Sequence, residues 1–403
     1  MNRAGVSRAG WIGLAAALLY AGLALASGLD RRAEFNPALA ARLPWPFAHR
    51  ALAAQGEAQV ASRHFRQALQ SGEAAVRDAP VDPVNPALLG AARLELGDAA
   101  GAERAFLVAG QLGWRVPMTQ GYWMQRALDV RDFPVAALRL DALLRQSPEM
   151  ISDYALLQPF ESDANGQRAL IDRLALRPGW LTPYANLIEG VPRSAVPLHA
   201  AALQELARRG VRVGCDTIGP PVISLTEVGD PAGARALWRS HCAEAGGGVL
   251  GDPELVFVRS GGARSAFEWD LIGNSDLDLT VLPPTSGQRG GGQNGGAVEI
   301  HNASGLTRTF LRQMVVVPAG SYRVSWRTVD AEGQPSALIT LSTGCGKDSM
   351  SRAEANWNAA DRAWQAELHL QAECKGRWIE FAVQPGPGTL RLSRVSLVAA
   401  RAP

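Results

Sequence analysis

The chain has 403 residues, 47% of them hydrophobic and 19% charged, which suits a globular protein with a substantial core and room for several domains of roughly 100–200 residues. Its net charge is +2, with 40 Lys/Arg scattered among 38 Asp/Glu. No concentrated basic stripe is visible, which argues against nucleic-acid binding.

Arg3 and Arg8 precede an uncharged run, AGWIGLAAALLYAGLALASGL, from Ala9 to Leu29, 21 residues long (29 − 9 + 1 = 21). About 20 apolar residues span a bilayer core as a helix, and the leading positive charges favour an N-terminus kept in the cytoplasm. Ala24-Leu25-Ala26 before Ser27 is a passable small-x-small cleavage site. Residues 1–30 therefore read as a retained signal anchor or a cleaved signal peptide. Either places the body in the periplasm, as a single-pass inner-membrane protein or a secreted one.

From Pro44 to about Gly246 the sequence is rich in Ala, Leu and Arg with helical periodicity. Ala68, Ala102 and Ala136 recur at 34 residues (102 − 68 = 136 − 102 = 34). In the same register stand Gly56, Gly90 and Met124; Ala75, Ala109 and Leu143; and Pro80, Trp114 and Pro148. Small residues let two helices approach closely, and proline cannot continue one. This layout resembles the tetratricopeptide repeat (TPR) family, with copies near 49–82, 83–116 and 117–150. In the clearest copy, Arg93 to Phe106, Gly97-Asp98 makes the turn and Phe106 packs back on the first helix. Met124, Trp114 and Leu143 depart from the family pattern, so register is least secure in the third copy. Glu227 to Ala234 echoes Glu95 to Ala102 and predicts a later hairpin, while 151–214 reads as short helices punctuated by prolines. The resemblance implies an α-solenoid over 31–246 whose concave face holds a protein partner.

After Gly246-Gly247-Gly248 the period changes to two. Leu255-Val256-Phe257-Val258 is expected to open a β-rich region. Tyr322, Val324 and Trp326 alternate with Arg323, Ser325 and Arg327; Trp364, Ala366, Leu368 and Leu370 alternate with polar residues; Ile379, Phe381 and Val383 form a third set, and Leu390 and Leu392 begin a fourth. Such runs predict half-buried strands of an antiparallel sandwich over 247–403. Phe267 to Asp270, Gln313 to Trp326 and the closing strand Thr389 to Val398 resemble the jelly-roll, galactose-binding-like superfamily that includes many carbohydrate-binding modules. In that superfamily a valine-rich strand, a Pro-x-Gly turn and a Tyr/Trp strand form one hairpin. The fold class expected is multidomain α plus β: membrane helix, α-solenoid, β-sandwich.

The candidate ligand surface is Asn356-Trp357-Asn358 with Trp364, since aromatic faces stack on sugar rings and amides bond hydroxyls. Trp364 also alternates into a strand and so reads first as core, as do Trp269 and Trp326. Four cysteines in an exported chain allow two disulfides. Proximity suggests Cys215–Cys242 and Cys345–Cys374, against four buried thiols.

No catalytic or metal constellation and no cofactor motif emerges. Gly344 to Ser349 fails as a phosphate loop because Leu341 holds the first-glycine position and Asp348 replaces the Ser/Thr. The glycine-rich stretch Gly287 to Gly296 reads as a loop between strands, and His301-Asn302 as a turn. The histidines at 49, 64, 199, 241, 301 and 369 form no H-E-x-x-H or close cluster, and there is no nucleophile elbow. Glu268, Asp270, Asp276 and Asp278 could pair for glycoside hydrolysis or hold calcium; capping loops is their ordinary use. The expectation is a non-catalytic, membrane-anchored periplasmic scaffold that binds a protein partner, in envelope or exopolysaccharide assembly. The alternatives are a carbohydrate-binding protein using the sandwich and an enzyme acting on glycans.

Overall fold

The computed structural model describes residues 8–33, 35, 48–259, 262–286, 293–346, 349–372 and 374–400. Arg3, Pro44, the 287–292 part of the glycine-rich stretch, Lys347 and Asp348 lie outside these. Two compact units divide the chain at Met150/Ile151.

In the first unit the apolar run forms one helix, α1 (Arg8–Ala33). Six helices follow as three hairpins: α2 (His49–Ala61) with α3 (Phe65–Asp78), α4 (Val84–Glu95) with α5 (Ala99–Leu112), and α6 (Pro117–Asp129) with α7 (Phe133–Gln146). The 34-residue interval is kept in the backbone. Arg63, Gly97 and Arg131 sit at the three turns with φ of 59°, 85° and 58°, the left-handed conformation that ends a helix sharply. The next residue caps the following helix in two of them: Asp98 accepts from the Gly101 amide at 2.8 Å, and Asp132 from Val135 at 3.2 Å, satisfying N–H groups that lack helical partners.

Ala68, Ala102 and Ala136 are fully buried where the helices of each pair touch. A Cβ added at Gly90 would lie 2.9 Å from the Phe106 ring, so the return packing of Phe106 needs glycine there. Pro80 and Pro148 stand two residues past α3 and α7. Trp114, in the equivalent place after α5, is exposed.

The second unit opens with short helices: α8 (Gln158–Glu161), α9 (Ala164–Leu174), α10 (Leu181–Ala185) and α11 (Val196–Arg208). They gather around a buried carboxylate. Glu161 accepts from the hydroxyls of Tyr154 and Tyr184 and lies against His199 Nδ1, each at 2.8 Å. Burial and the neighbouring Glu161 charge push both tyrosine hydroxyls above their ordinary range. The predicted later hairpin is α12 (Cys215–Glu227) and α13 (Pro231–His241). Its turn repeats the device of the first unit: Gly229 at φ 90° and an Asp230 cap on the Gly233 amide at 2.9 Å. The Cys215–Cys242 disulfide ties its two ends.

The rest of this unit is a sandwich of antiparallel sheets built from β1 (Asp270–Leu271), β2 (Leu277–Leu282), β3 (Thr285–Ser286), β4 (Gln293–Asn294), β5 (Ala297–Asn302), β6 (Arg308–Val315), β7 (Gly320–Val329), β8 (Ile339–Gly344), β9 (Ser351–Arg352), β10 (Ala355–Asn358), β11 (Ala363–Leu370), β12 (Arg377–Val383) and β13 (Leu390–Ala399). One sheet has the order β1-β6-β12-β8-β9 and the other β10-β11-β7-β13-β5-β2; β3 and β4 pair separately. The alternations read from sequence hold: Val324 and Trp326, Ala366 and Leu368, and Ile379, Phe381 and Val383 all face the core. Trp326 and Phe381, from opposite sheets, meet edge to face at 5.5 Å, a favoured aromatic geometry. Trp269 is also core, tilted 6.0 Å from Phe381.

Three local expectations are corrected. Leu255 to Val258 is no strand. Asp252 and Leu255 have φ of 50° and 54°, and the Asp252 carboxylate accepts from the Val256 and Phe257 amides at 2.8 and 2.7 Å, which folds the segment into a turn. The valine-rich and Tyr/Trp strands do not form a hairpin. β6 pairs with β1 and β12 while β7 pairs with β11 and β13, so Pro318-Ala319-Gly320 carries the chain from one sheet to the other. His301-Asn302 ends β5 rather than turning after it.

The α12–α13 hairpin packs on the sandwich. Arg235 donates to the carbonyls of Gly248 and Val249 at 2.8 and 3.0 Å and to that of Val316. Arg264 lies 5.7 Å over the Trp238 ring while pairing with Glu268 and Glu244.

Candidate functional site

At one margin of the sandwich the chain leaves the edge of the five-stranded sheet at β9 and becomes the edge of the six-stranded sheet at β10. Crossing from one edge to the other through Ala353-Glu354 leaves the sheets unclosed. A cleft of about 590 Å3 opens there. Ile339, Ala353 and Ala355 give it apolar surface, Trp364 an aromatic one, and Arg352, Glu354 and Asn356 a polar rim.

The four predicted site residues divide between roles. In the β10–β11 register Trp357 pairs with Trp364 and Asn356 with Gln365, so the indoles share one face of the sheet and the asparagines the other. Trp364 lines the cleft and packs its inner edge on the core. Its indole N–H is shielded from solvent without a hydrogen-bond partner. Trp357, half-buried, lies beside it at 5.7 Å and 59°. Asn356 is exposed and contributes to the rim. Asn358 is occupied with the chain itself: its oxygen accepts from the amides of Ala360 and Asp361 at 2.9 and 3.3 Å, and its amide donates to the Asp361 carboxylate at 2.9 Å. It closes the β10–β11 turn.

Sequence reasoning missed Ile339, Arg352 and Glu354. A signal was present in Ser351-Arg352-Ala353-Glu354-Ala355, where charge alternates with alanine as on an exposed strand. That two edges would cross here is a tertiary fact.

Of the four carboxylates considered for hydrolysis, three are engaged by separate arginines. Asp270 pairs with Arg312 at 2.9 Å, Asp276 with Arg308 at 2.5 Å, and Glu268 accepts from Arg264 Nε at 3.0 Å. Both expected disulfides are present, Cys215–Cys242 and Cys345–Cys374. Among the described residues, the group with metal-ligand spacing is Cys215, Cys242 and Glu244, but its sulfurs are consumed in the disulfide.

The first unit carries a second concave feature. A groove of about 650 Å3 runs along α4 and α6 and the start of α5. Its floor holds Ala91, Leu94 and Met118 with Phe106 and Tyr122, whose rings stack at 4.2 Å and 14°. Glu95, Glu103 and the Arg126–Asp129 pair border it. Burial, helped by Glu103, raises the Tyr122 hydroxyl above its ordinary range.

No protein-family model matches the sequence, and no curated protein matches it. Among the chains of known structure that match are two similar over the β part. One is TmCBM61 in complex with β-1,4-galactotriose, at 18% identity over 38% of this chain and 100% of that one, with a TM-score of 0.24. The other is described as a sugar-binding protein from Bacteroides thetaiotaomicron, at 12% identity over 38% of this chain and 100% of that one, with a TM-score of 0.25. Scores this low carry no functional argument.

Proposed function

We propose that the chain is a non-catalytic, membrane-anchored protein of the extracytoplasmic envelope whose β-sandwich binds a saccharide in the Trp364 cleft. The observation that carries this reading is the composition of that cleft. One indole offers an apolar face for the C–H side of a sugar ring, and Arg352, Glu354 and Asn356 on the rim supply donors and acceptors for its hydroxyls. Its size falls within the roughly 300–1,000 Å3 usual for small-molecule sites. The compartment reading is supported by α1, whose uncharged stretch from Trp11 to Leu29 is largely exposed, together with two disulfides, which persist in oxidising surroundings. Binding of the detergent-solubilised full chain to a glycan array, followed by calorimetry with Trp364→Ala, tests the reading. Saccharide binding lost in the variant supports it; no glycan retained, or equal binding by both proteins, sinks it.

A second reading concerns the helical groove. Its apolar floor and the stacked Phe106–Tyr122 pair favour a protein segment as ligand, in keeping with the TPR resemblance of the 34-residue hairpins. The chain would then act as a scaffold, in envelope or exopolysaccharide assembly, that joins a protein partner to a glycan. Affinity capture from envelope extracts with the native chain and Tyr122→Ala checks this. A partner recovered by the native chain and missing from the variant is expected; identical recoveries would remove the groove from consideration.

A further inference from the structure

The contact between the apolar helix and the first hairpin fixes more than attachment. From Trp11 to Asp30, α1 covers about 20 residues and hence about 30 Å, the thickness of a bilayer core. A carboxylate at the end of such a span is costly unless hydrogen-bonded. Asp30 is buried, and its Oδ1 accepts from the Ala51 amide at 3.1 Å. Ala51 lies in the first turn of α2, whose amides lack helical partners and whose dipole favours a negative charge. Ala33, one turn later on α1, is fully buried. Residues 34–48 separate the two helices in sequence, but this contact joins them directly. Arg31, Arg32 and Arg50 are exposed beside it, at the level where the apolar surface of α1 stops.

We infer that α1 is a structural member of the first hairpin, so that the helical unit stands on the outer leaflet with Arg31, Arg32 and Arg50 among the phosphates of anionic lipids. This rests on α1 spanning a membrane. Asp30 acts as a rigid coupling between span and body. The three arginines form a collar whose positive charge suits an anionic headgroup layer.

The test uses the full chain in nanodiscs of zwitterionic lipid with or without phosphatidylglycerol. A donor dye is placed at Ser62→Cys, at the far end of α2, and acceptors on the headgroups. The native chain is expected to give a narrow distance distribution. Asp30→Ala should broaden it, and Asp30→Asn, which can still accept the amide, should restore it. Arg31→Gln/Arg32→Gln/Arg50→Gln should abolish the difference between anionic and zwitterionic discs. Circular dichroism confirms that each variant is folded. Extraction of the native chain by alkaline carbonate would overturn the anchor reading itself. A carbonate-resistant chain with equally broad distributions for native and Asp30→Ala would overturn only the coupling. Indifference of the native chain to lipid charge would remove the collar.

Discussion

Across the β10–β11 pair the Trp364 ring lies 5.7 Å from that of Trp357 at an angle of 59°, and of the two only Trp364 lines the cleft. Trp357 therefore buttresses the ring that would meet a ligand. Trp364→Ala is expected to weaken saccharide binding by about tenfold, or about 1.4 kcal/mol, and Trp357→Ala by only a few-fold through loosened orientation. Calorimetry on both variants checks the order. A larger loss for Trp357→Ala would move the binding surface to that ring.

Stability of the second unit should depend on one histidine. His241 is buried, its Nδ1 accepting from the Val213 amide at 3.4 Å and its Nε2–H donating to the Leu203 carbonyl at 2.9 Å. Both nitrogens are thus committed to the neutral ring, and burial lowers its proton affinity. A folded pKa below the unfolded value of about 6.5 means stability fully present above that pH and lost as pH falls through the folded pKa. Thermal melts from pH 8 down to pH 4.5 should show a decline that begins below about pH 6.5 and is shallower in His241→Gln. Parallel declines in the two proteins would clear His241 of the effect.

The Cys215–Cys242 bond joins the start of α12 to the residue after α13, 27 positions on. Closing a loop of that size restricts the unfolded chain and stabilises the fold by about 3.5 kcal/mol. The double variant Cys215→Ser/Cys242→Ser should lower the denaturant midpoint of the transition that reports the sandwich, because Arg235 and Arg264 bind this hairpin to it. A midpoint that stays in place would mean the hairpin is held by packing alone.

The hairpin turns of the first unit allow a test in both directions. Gly97 occupies the left-handed position at φ 85° where Arg131 stands at φ 58°. Gly97→Ala should destabilise by about 1 kcal/mol, and Arg131→Gly should be neutral or stabilising, because an L side chain is penalised in that conformation. Urea titration of both variants decides. Equal losses would show that the Arg131 side chain makes a compensating contact.

Much of the architecture was legible because its signals are local. The 34-residue recurrence, the Gly97-Asp98 and Gly229-Asp230 turns, the apolar run of α1 and the two-residue alternation of Tyr322 to Trp326 each follow from neighbouring residues competing for buried or capped positions. The site was less legible. Asn358 reads as a ligand by residue type, yet its side chain is spent on the turn after it; Ile339 and Trp364, from strands of opposite sheets, border one cleft. The Glu161–Tyr154–Tyr184–His199 cluster had no sequence signature, since its members are drawn from separate short helical segments.

By itself the sequence determined most of the helices and alternating strands and their apolar faces, though not the turn at Leu255 to Val258, because periodicity and capping act over a few residues. Which strands share a sheet, where the sandwich edge stays open and which amide Asp30 satisfies were decided only in the tertiary structure. Those outcomes depend on pairing hydrogen-bonding edges and filling volume between segments distant in sequence, and no local pattern specifies them.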